Sequence, residues 1–364
     1  MQIHIKTFTV HKRFALTISR GTTAQTSNVW LKVEHEGIGG WGEASPFSVG
    51  GTPQTTEALV AALQQVAPEL QKFSPLDRGK IEEVLTKSTN SDTFPSAARA
   101  AIDVALHDWM GKKAGLPLWQ IWGLDRGKIV PTSVTIGISS PEAARARVRH
   151  WFNQENGAGA DHSTTGCAVK VKLGSPQGIE ADKAMFLAVQ QEAPSAAFSV
   201  DANGGWSLSD AIAMCHWLAD RGVKYVEQPL PVAAHEALSP LTAESPLPIF
   251  VDESCFTSAD IRQLADRVQG INIKLMKCGG LTEAMRMIHA AKAWGLQVMF
   301  GCYSDSALAN TAMSHLSPLA DYLDLDSHLN LRDDPFTGAT LHQGRLLPNE
   351  LPGLGVKYHA SDNS

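Results

Sequence analysis

Several features are scarce in this sequence, and each scarcity removes a class of function. No dense run of lysine or arginine interrupts it and its formal net charge is -6, which argues against a nucleic-acid partner. The five cysteines, Cys167, Cys215, Cys255, Cys278 and Cys302, are odd in number, scattered and free of Cys-x-x-Cys spacing. Reduced thiols in a cytoplasmic protein are the simplest account of them. The opening MQIHIKTFTVHKRF alternates as a strand does and holds no apolar signal-peptide core, and nothing later reads as a spanning helix, so no membrane partner is expected. What remains is 364 residues with 43% hydrophobic content, more than one average domain and enough for a large core.

What is present is a row of charges. Six short apolar runs each end on a charged residue: AVKVK at Lys172, FSVD at Asp201, KYVE at Glu227, IFVD at Asp252, INIK at Lys274 and YLDLD at Asp324. From Lys172 to Lys274 the successive gaps are 29, 26, 25 and 22 residues, the length of one strand, one helix and two loops. Strands that each deliver a polar group at the C-terminal end are the habit of a parallel (β/α) barrel, whose reactive groups sit on that face. One Lys or Asp at a strand end is most often a solvated surface residue; five at a regular period are hard to explain that way.

The order of signs points to a chemistry. Asp201, Glu227 and Asp252 are oxygen donors on three successive strands, a set that suits a hard divalent cation, Mg2+ first and Mn2+ as a substitute. Without a cation three adjacent carboxylates would repel and raise one another's pKa values. No Cys or His accompanies them in zinc-like spacing, although Cys255 follows closely. Lys172 and Lys274 lie on either side of the trio, where two amines could remove a proton from one face of a carbon and return it to the other. The metal would hold the substrate carboxylate and stabilise the enediolate left behind. A lysine base needs a lowered pKa, and the cation, Lys170 and burial are expected to lower it. Residues two apart on a strand share a face, so Lys170 joins Lys172, Asn203 joins Asp201 and Asp326 joins Asp324.

The quoted strings KVKLG, DANGGW, VEQPL, VDES and NIKLMKCGG, in this order, resemble the muconate-lactonizing-enzyme subgroup of the enolase superfamily. WGEASPF (residues 41–47) and ARAAIDVALHDWMGKKAGLPLWQIWG (98–123) extend the resemblance over nearly the whole chain. It implies an α/β fold: a modified (β/α)7β TIM-type barrel with an α+β capping domain formed by the N-terminal segment and the C-terminal tail. It also implies that Asp201, Glu227 and Asp252 are Mg2+ ligands, that Lys172 and Lys274 are the acid/base pair, and that Lys170 and Asn203 support them. Lys277 is a second candidate in the same motif; Lys274 is preferred because it ends the apolar strand five residues before Gly279.

Reactions diverge within that subgroup, so the fold does not settle the substrate. Asp324 and Asp326, in LDLDSHL, are similar to the Asp-x-Asp with which dipeptide epimerases hold a free α-ammonium group, and two carboxylates in a pocket want a cation. The bland alternative is a solvated loop after the last strand. A small-molecule dipeptide is therefore the expected partner, and a homo-oligomer the expected assembly. Arg20, in LTISRGTTAQTS, matches a mobile capping loop and could pair with an acidic substrate side chain, as in L-Ala-D/L-Glu epimerases; Thr135 is a further candidate substrate contact. The open alternatives are o-succinylbenzoate synthase, N-succinylamino acid racemase or a muconate-type cycloisomerase within the fold, and a silent metal-carboxylate sensor outside that chemistry.

Two departures from the family pattern stand out. GCYSDS places Asp305 where a Glu is usual, which would alter pocket shape or a contact to a catalytic lysine. FNQENGAGADHSTTG (152–166) reads as a flexible insertion, tolerated because loop closure cost grows slowly with length. Along the chain, residues 1–128 read as the capping domain, 129–335 as the barrel and 336–364 as a tail returning to the cap. IHIKTFTV and NVWLKVEHEG look like antiparallel strands, and SAARAAIDVALHDWMGKKAG like a helix closed by Gly115 and Pro117. PTSVTIG would open the barrel, and SLSDAIAMCHWLADRG and TEAMRMIHAAKAWG would be helices on its surface. Trp206, Trp217 and Trp294 are expected in the core, and residues 361–364 are expected to be disordered.

Overall fold

Two long strands open the chain, β1 (Gln2–Ile18) and β2 (Gly21–His35), joined by the tight turn at Ser19 and Arg20, with β3 (Ile38–Ala44) completing an antiparallel sheet. The structure is a computed structural model and describes residues 1–49, 53–87, 94–152, 164 and 166–359. The expected insertion, apart from Phe152, Thr164 and Gly166, and the last four residues lie outside the described residues. Helices α1 (Thr56–Leu70) and α2 (Arg78–Lys87) follow, then α3 (Ser96–Ala114), which lies against β3. Glycine permits that approach: a Cβ on Gly42 would stand 1.9 Å from the Ala101 carbonyl oxygen, and one on Gly40 2.1 Å from that of Ala105. As the sequence pattern requires, α3 stops at Gly115, which takes the left-handed conformation (φ 72°).

Eight parallel strands follow in chain order: β4 (Ser133–Ile136), β5 (Ala168–Lys172), β6 (Phe198–Asp201), β7 (Val226–Glu227), β8 (Ile249–Val251), β9 (Gly270–Lys274), β10 (Gln297–Gly301) and β11 (Tyr322–Leu323). A parallel bridge between Thr132 and Leu323 brings the last strand back to the first and closes the barrel. An α-helix stands in each connection between successive strands, as in a (β/α)7β barrel. The strands are buried runs of Val, Ile and Phe, since helices cover them outside and packed side chains fill them inside. After β11 the chain returns to the cap. Phe336 and Tyr358 pair in a short antiparallel ladder and pack with Phe8, Trp30 and Trp41 on the outer sheet.

Of the three tryptophans expected in the core, Trp206 is buried and Trp217 partly so, but Trp294 is 56% exposed. It is the residue capping the helix Leu281–Ala293, where Gly295 turns the chain away through a positive φ, so its ring clears the apolar stripe that ends at Ala291.

Candidate active site

The parallel register sets the row of charges side by side. Lys172 on β5 pairs with Asp201 on β6, and Asp201 with Glu227 on β7. Asp252 follows β8 directly, and Lys274 ends β9. All five are buried, together with Lys170. The lysines do not stand apart from the acids: Lys172 Nζ donates to Asp201 Oδ2 at 2.6 Å, and Lys274 Nζ to Asp252 Oδ2 at 2.7 Å. Lys170 Nζ donates to Asp324 Oδ2 at 2.6 Å, is ion-paired with Glu227, and lies 3.9 Å from Asp201.

The charges within this cluster set its protonation. Burial, with Asp201 adding, pushes the Glu227 carboxyl up to about 7, even with Lys170 beside it. Burial also works against ionisation of Asp252, but Lys274 and Lys277 hold it below the usual carboxylate range. For Lys274 the expected lowering is not found. Burial does pull its pKa down, yet Asp252, with Tyr303, Glu227 and Glu253 contributing, raises it well above the ordinary value, because a desolvated ion pair outweighs desolvation alone. Lys170 is raised for the same reason, by Asp324 and Glu227 against burial.

Among the described residues no three Asp, Glu, His or Cys side chains form a ready-made cation cage, since ammonium groups occupy the carboxylates of the row. The donor set nevertheless fits a divalent cation. It offers hard oxygens from three neighbouring strand ends, and beside them the buried Asn203 Oδ1 and Glu253 Oε2 have no hydrogen-bond partner. Asn203 is strained into positive φ (45°) so that its N–H and Nδ2 both donate to Asp201, at 2.7 and 3.0 Å.

Across the barrel, Asp324 and Asp326 are buried and face β4. Ser133 Oγ and Thr135 Oγ1 donate to Asp324 Oδ1 at 2.7 and 3.3 Å, and the Thr135 N–H donates to Asp326 Oδ2 at 2.7 Å. Lys170 holds the Asp324 carboxyl down at about 2 against burial, whereas burial and Asp324 push Asp326 up to about 6. Asp305 is buried nearby and its Oδ2 accepts the Tyr303 N–H at 3.1 Å. Arg20 reaches over the strand ends from the β1–β2 turn. Its guanidinium donates to the Asn203 carbonyl at 2.8 Å and to Glu253 Oε1 at 2.6 Å, so an internal acid already engages it. A cavity of about 520 Å³ opens beneath, lined by Arg20, Val49, Pro53, Gln228, Val232 and Glu253 among others.

Residues 2–123 match the family described as mandelate racemase / muconate lactonizing enzyme, N-terminal domain, and residues 162–362 match that described as enolase C-terminal domain-like. The chain belongs to the enolase superfamily. It is 43% identical over 351 residues to a hydrophobic dipeptide epimerase of Flavobacteria bacterium (strain MS024-2A), spanning 96% of this chain and 95% of that one. It is 36% identical over 346 residues to an L-Ala-D/L-Glu epimerase of Bacteroides thetaiotaomicron, spanning 94% and 84%. A solved dipeptide epimerase from Enterococcus faecalis V583, complexed with Mg and the dipeptide L-Leu-L-Tyr, matches with a TM-score of 0.86 at 31% identity, over 98% of this chain and 99% of that one.

Three residues of this enolase-superfamily site were not singled out from the sequence. Asn272 Nδ2 donates to Glu227 Oε1 at 2.6 Å; its position two before Lys274 on one strand was the available signal. Gln228 bridges two strand ends, its Oε1 accepting the Asp252 N–H at 2.9 Å while Nε2 donates to Leu230 and Ser254. Tyr303, in the departing GCYSDS string, places its ring 4.5 Å from Lys274 Nζ, and no spacing rule pointed to it.

Proposed function

We propose that this protein is a dipeptide epimerase that inverts the α-carbon of the C-terminal residue by a 1,1-proton transfer between Lys172 and Lys274. The observation that carries this reading is the strand order. Lysines on β5 and β9 flank carboxylates on or just after β6, β7 and β8, with a second pair of buried carboxylates, Asp324 and Asp326, across the barrel.

Asp201, Glu227 and Asp252 would hold Mg2+, with Mn2+ able to replace it, and that cation supplies positive charge to the substrate carboxylate when bound. Asp324 and Asp326 bind the dipeptide's free ammonium group, which neutralises Asp326, a carboxylate without an ion pair among the described residues. The C-terminal α-carbon would then lie between Lys172 and Lys274. A neutral lysine on one face takes the α-proton, and the ammonium on the other face delivers one, so the stereocentre inverts without net change in composition. Both lysines are ion-paired here, Lys172 with Asp201 and Lys274 with Asp252, and release and deprotonation of one lets it act as base while the other, an ammonium, delivers the proton. Lys170 and Asn203 hold the carboxylates in place.

For side-chain preference we favour apolar or uncharged C-terminal residues over glutamate. The Arg20 charge is spent on Glu253, and an acidic substrate would have to displace that buried acid. The 43% identity to a hydrophobic dipeptide epimerase supports the same choice. Incubation with Mg2+ and a mixed L,L-dipeptide library in D2O, followed by mass spectrometry, tests both parts. A one-dalton gain confined to dipeptides with apolar or uncharged C-terminal residues is expected. Incorporation into acidic dipeptides would overturn the preference, and incorporation into none would overturn the reaction.

A further inference from the structure

Two lysines of NIKLMKCGG stand three residues apart, and the fold gives them opposite surroundings. Lys274 ends β9 in extended conformation, so its side chain continues the inward alternation of that strand. Lys277 lies on the short helix Leu275–Cys278, which folds it back against the strand it has just left. Its ammonium is fully buried and meets three oxygens: the Asp252 carbonyl, Asp252 Oδ1 at 2.7 Å and the Asn272 carbonyl at 2.9 Å. Three donors meet three acceptors, which leaves no N–H free for a substrate.

Asp252 is thereby held from two sides that differ in kind. Its Oδ2 takes Lys274, and its Oδ1 and carbonyl take Lys277. Resting on the proposed reading of Asp252 as a metal ligand and Lys274 as an acid/base, we infer that Lys277 is a positioning residue that fixes the Asp252 carboxylate, Oδ2 towards the site, whenever Lys274 lets go of it. The alternative counter-ion for Asp252 is Lys274 itself. Without Lys277 the carboxylate would be free to turn, and the Asp252 carbonyl, which also accepts the Cys255 N–H at 3.1 Å, would lose one of its donors. Lys277 thus keeps the catalytic lysine and the metal from competing for a loose acid. It differs from Gln228, whose contact with Asp252 is to the N–H and leaves the carboxylate orientation open.

The test is a calorimetric Mn2+ titration of four full-length proteins: wild type, Lys277→Met, Lys274→Ala and Asp252→Asn, with α-proton exchange followed at saturating Mn2+. Loss of a group that orients a metal ligand typically weakens the metal roughly 10- to 100-fold, and that is the fall expected for Lys277→Met. Its exchange should persist with both epimers at a measurable rate once metal saturates, whereas Lys274→Ala should bind Mn2+ yet fail to epimerise, keeping exchange only with the epimer that presents its α-proton to Lys172. Wild-type Mn2+ affinity in Lys277→Met, with Asp252→Asn weakened, would overturn this inference alone. Unchanged affinity in Asp252→Asn would overturn the ligand assignment beneath it. Loss of exchange with one epimer in Lys277→Met at saturating metal, the pattern expected of Lys274→Ala, would make Lys277 a catalytic group instead. Should Lys277→Met fail to fold, a crystal structure of the wild type with Mn2+ decides: Lys277 Nζ is expected still on the Asp252 and Asn272 carbonyls, and its departure into the pocket would refute the role.

Discussion

The ammonium of Lys274 lies 4.5 Å from the centre of the Tyr303 ring, and that ring is stacked on Phe47 of the cap at 4.7 Å and 3°. The cap thereby reaches a barrel lysine through two aromatic planes. A cation over a desolvated ring is stabilised by about 0.5–2 kcal/mol, so Tyr303→Leu should lower kcat by up to about 30-fold. Steady-state kinetics check it, with Tyr303→Phe, which retains the ring, staying close to wild type.

Replacing either flanking lysine removes one half of the transfer. Lys172→Ala and Lys274→Ala should each lower epimerisation by at least the roughly 10²- to 10⁴-fold of a lost general acid or base. Near-wild-type turnover of either variant, measured by polarimetry on an accepted dipeptide, would refute the two-base assignment.

Asp326→Asn should weaken dipeptide binding through loss of a charge-assisted contact, by about 1.5–3 kcal/mol or roughly 10- to 150-fold in kcat/KM. Asp326 is the better probe because Asp324 also binds Lys170. If the two aspartates serve another purpose, N-acetylated and free dipeptides will respond to the substitution alike.

Chelation tests the carboxylate row. EDTA should abolish α-proton exchange, and added Mg2+ should restore it. Because the cation would bind only the folded chain, Tm should also climb with Mg2+ concentration, by about 2.7 kcal/mol of stability at a hundredfold excess over Kd. A Tm indifferent to Mg2+ up to saturation would count against the site.

Asp103 joins the cap to the barrel. It accepts from Arg78 at 2.7 Å and from the Thr282 N–H at 3.0 Å. Burial opposes ionisation of this carboxyl, but His107 and Arg78 hold it below the usual carboxylate range. Its folded pKa is therefore below its unfolded one, so the unfolded chain binds more protons between the two. The stabilisation is complete above the unfolded value near pH 4 and is lost as pH falls through the depressed folded pKa. Asp103→Asn should be less stable by about 2–3 kcal/mol at pH 7, reduced from the fully buried case because Arg78 is partly exposed. Urea denaturation should show the gap between variant and wild type narrowing as pH drops below 4.

The barrel was legible because its strands are short buried apolar runs that each stop on a charge, and a period of one βα unit survives any uncertainty in helix ends. Gly115 announced the end of α3 because few other residues take its positive φ. Trp294 was misplaced because periodicity cannot say where a helix stops covering the sheet. Arg20 was legible as a residue of the pocket's rim, but its engagement by Glu253, 233 positions away, was not.

Sequence alone determined the type and order of the reactive groups: Lys, Asp, Glu, Asp, Lys, then two Asp, each set at a strand end by alternation and by one βα unit of spacing. It did so because those properties are local to each strand. Tertiary structure decided what the groups do to one another. Closure of the barrel put Lys170 between Glu227 and Asp324, raised Lys274 rather than lowering it, and turned Lys277 away from the pocket onto Asp252. Such couplings depend on ångström separations in a desolvated interior, where a counter-ion from a distant strand outweighs anything that a neighbour in the chain supplies.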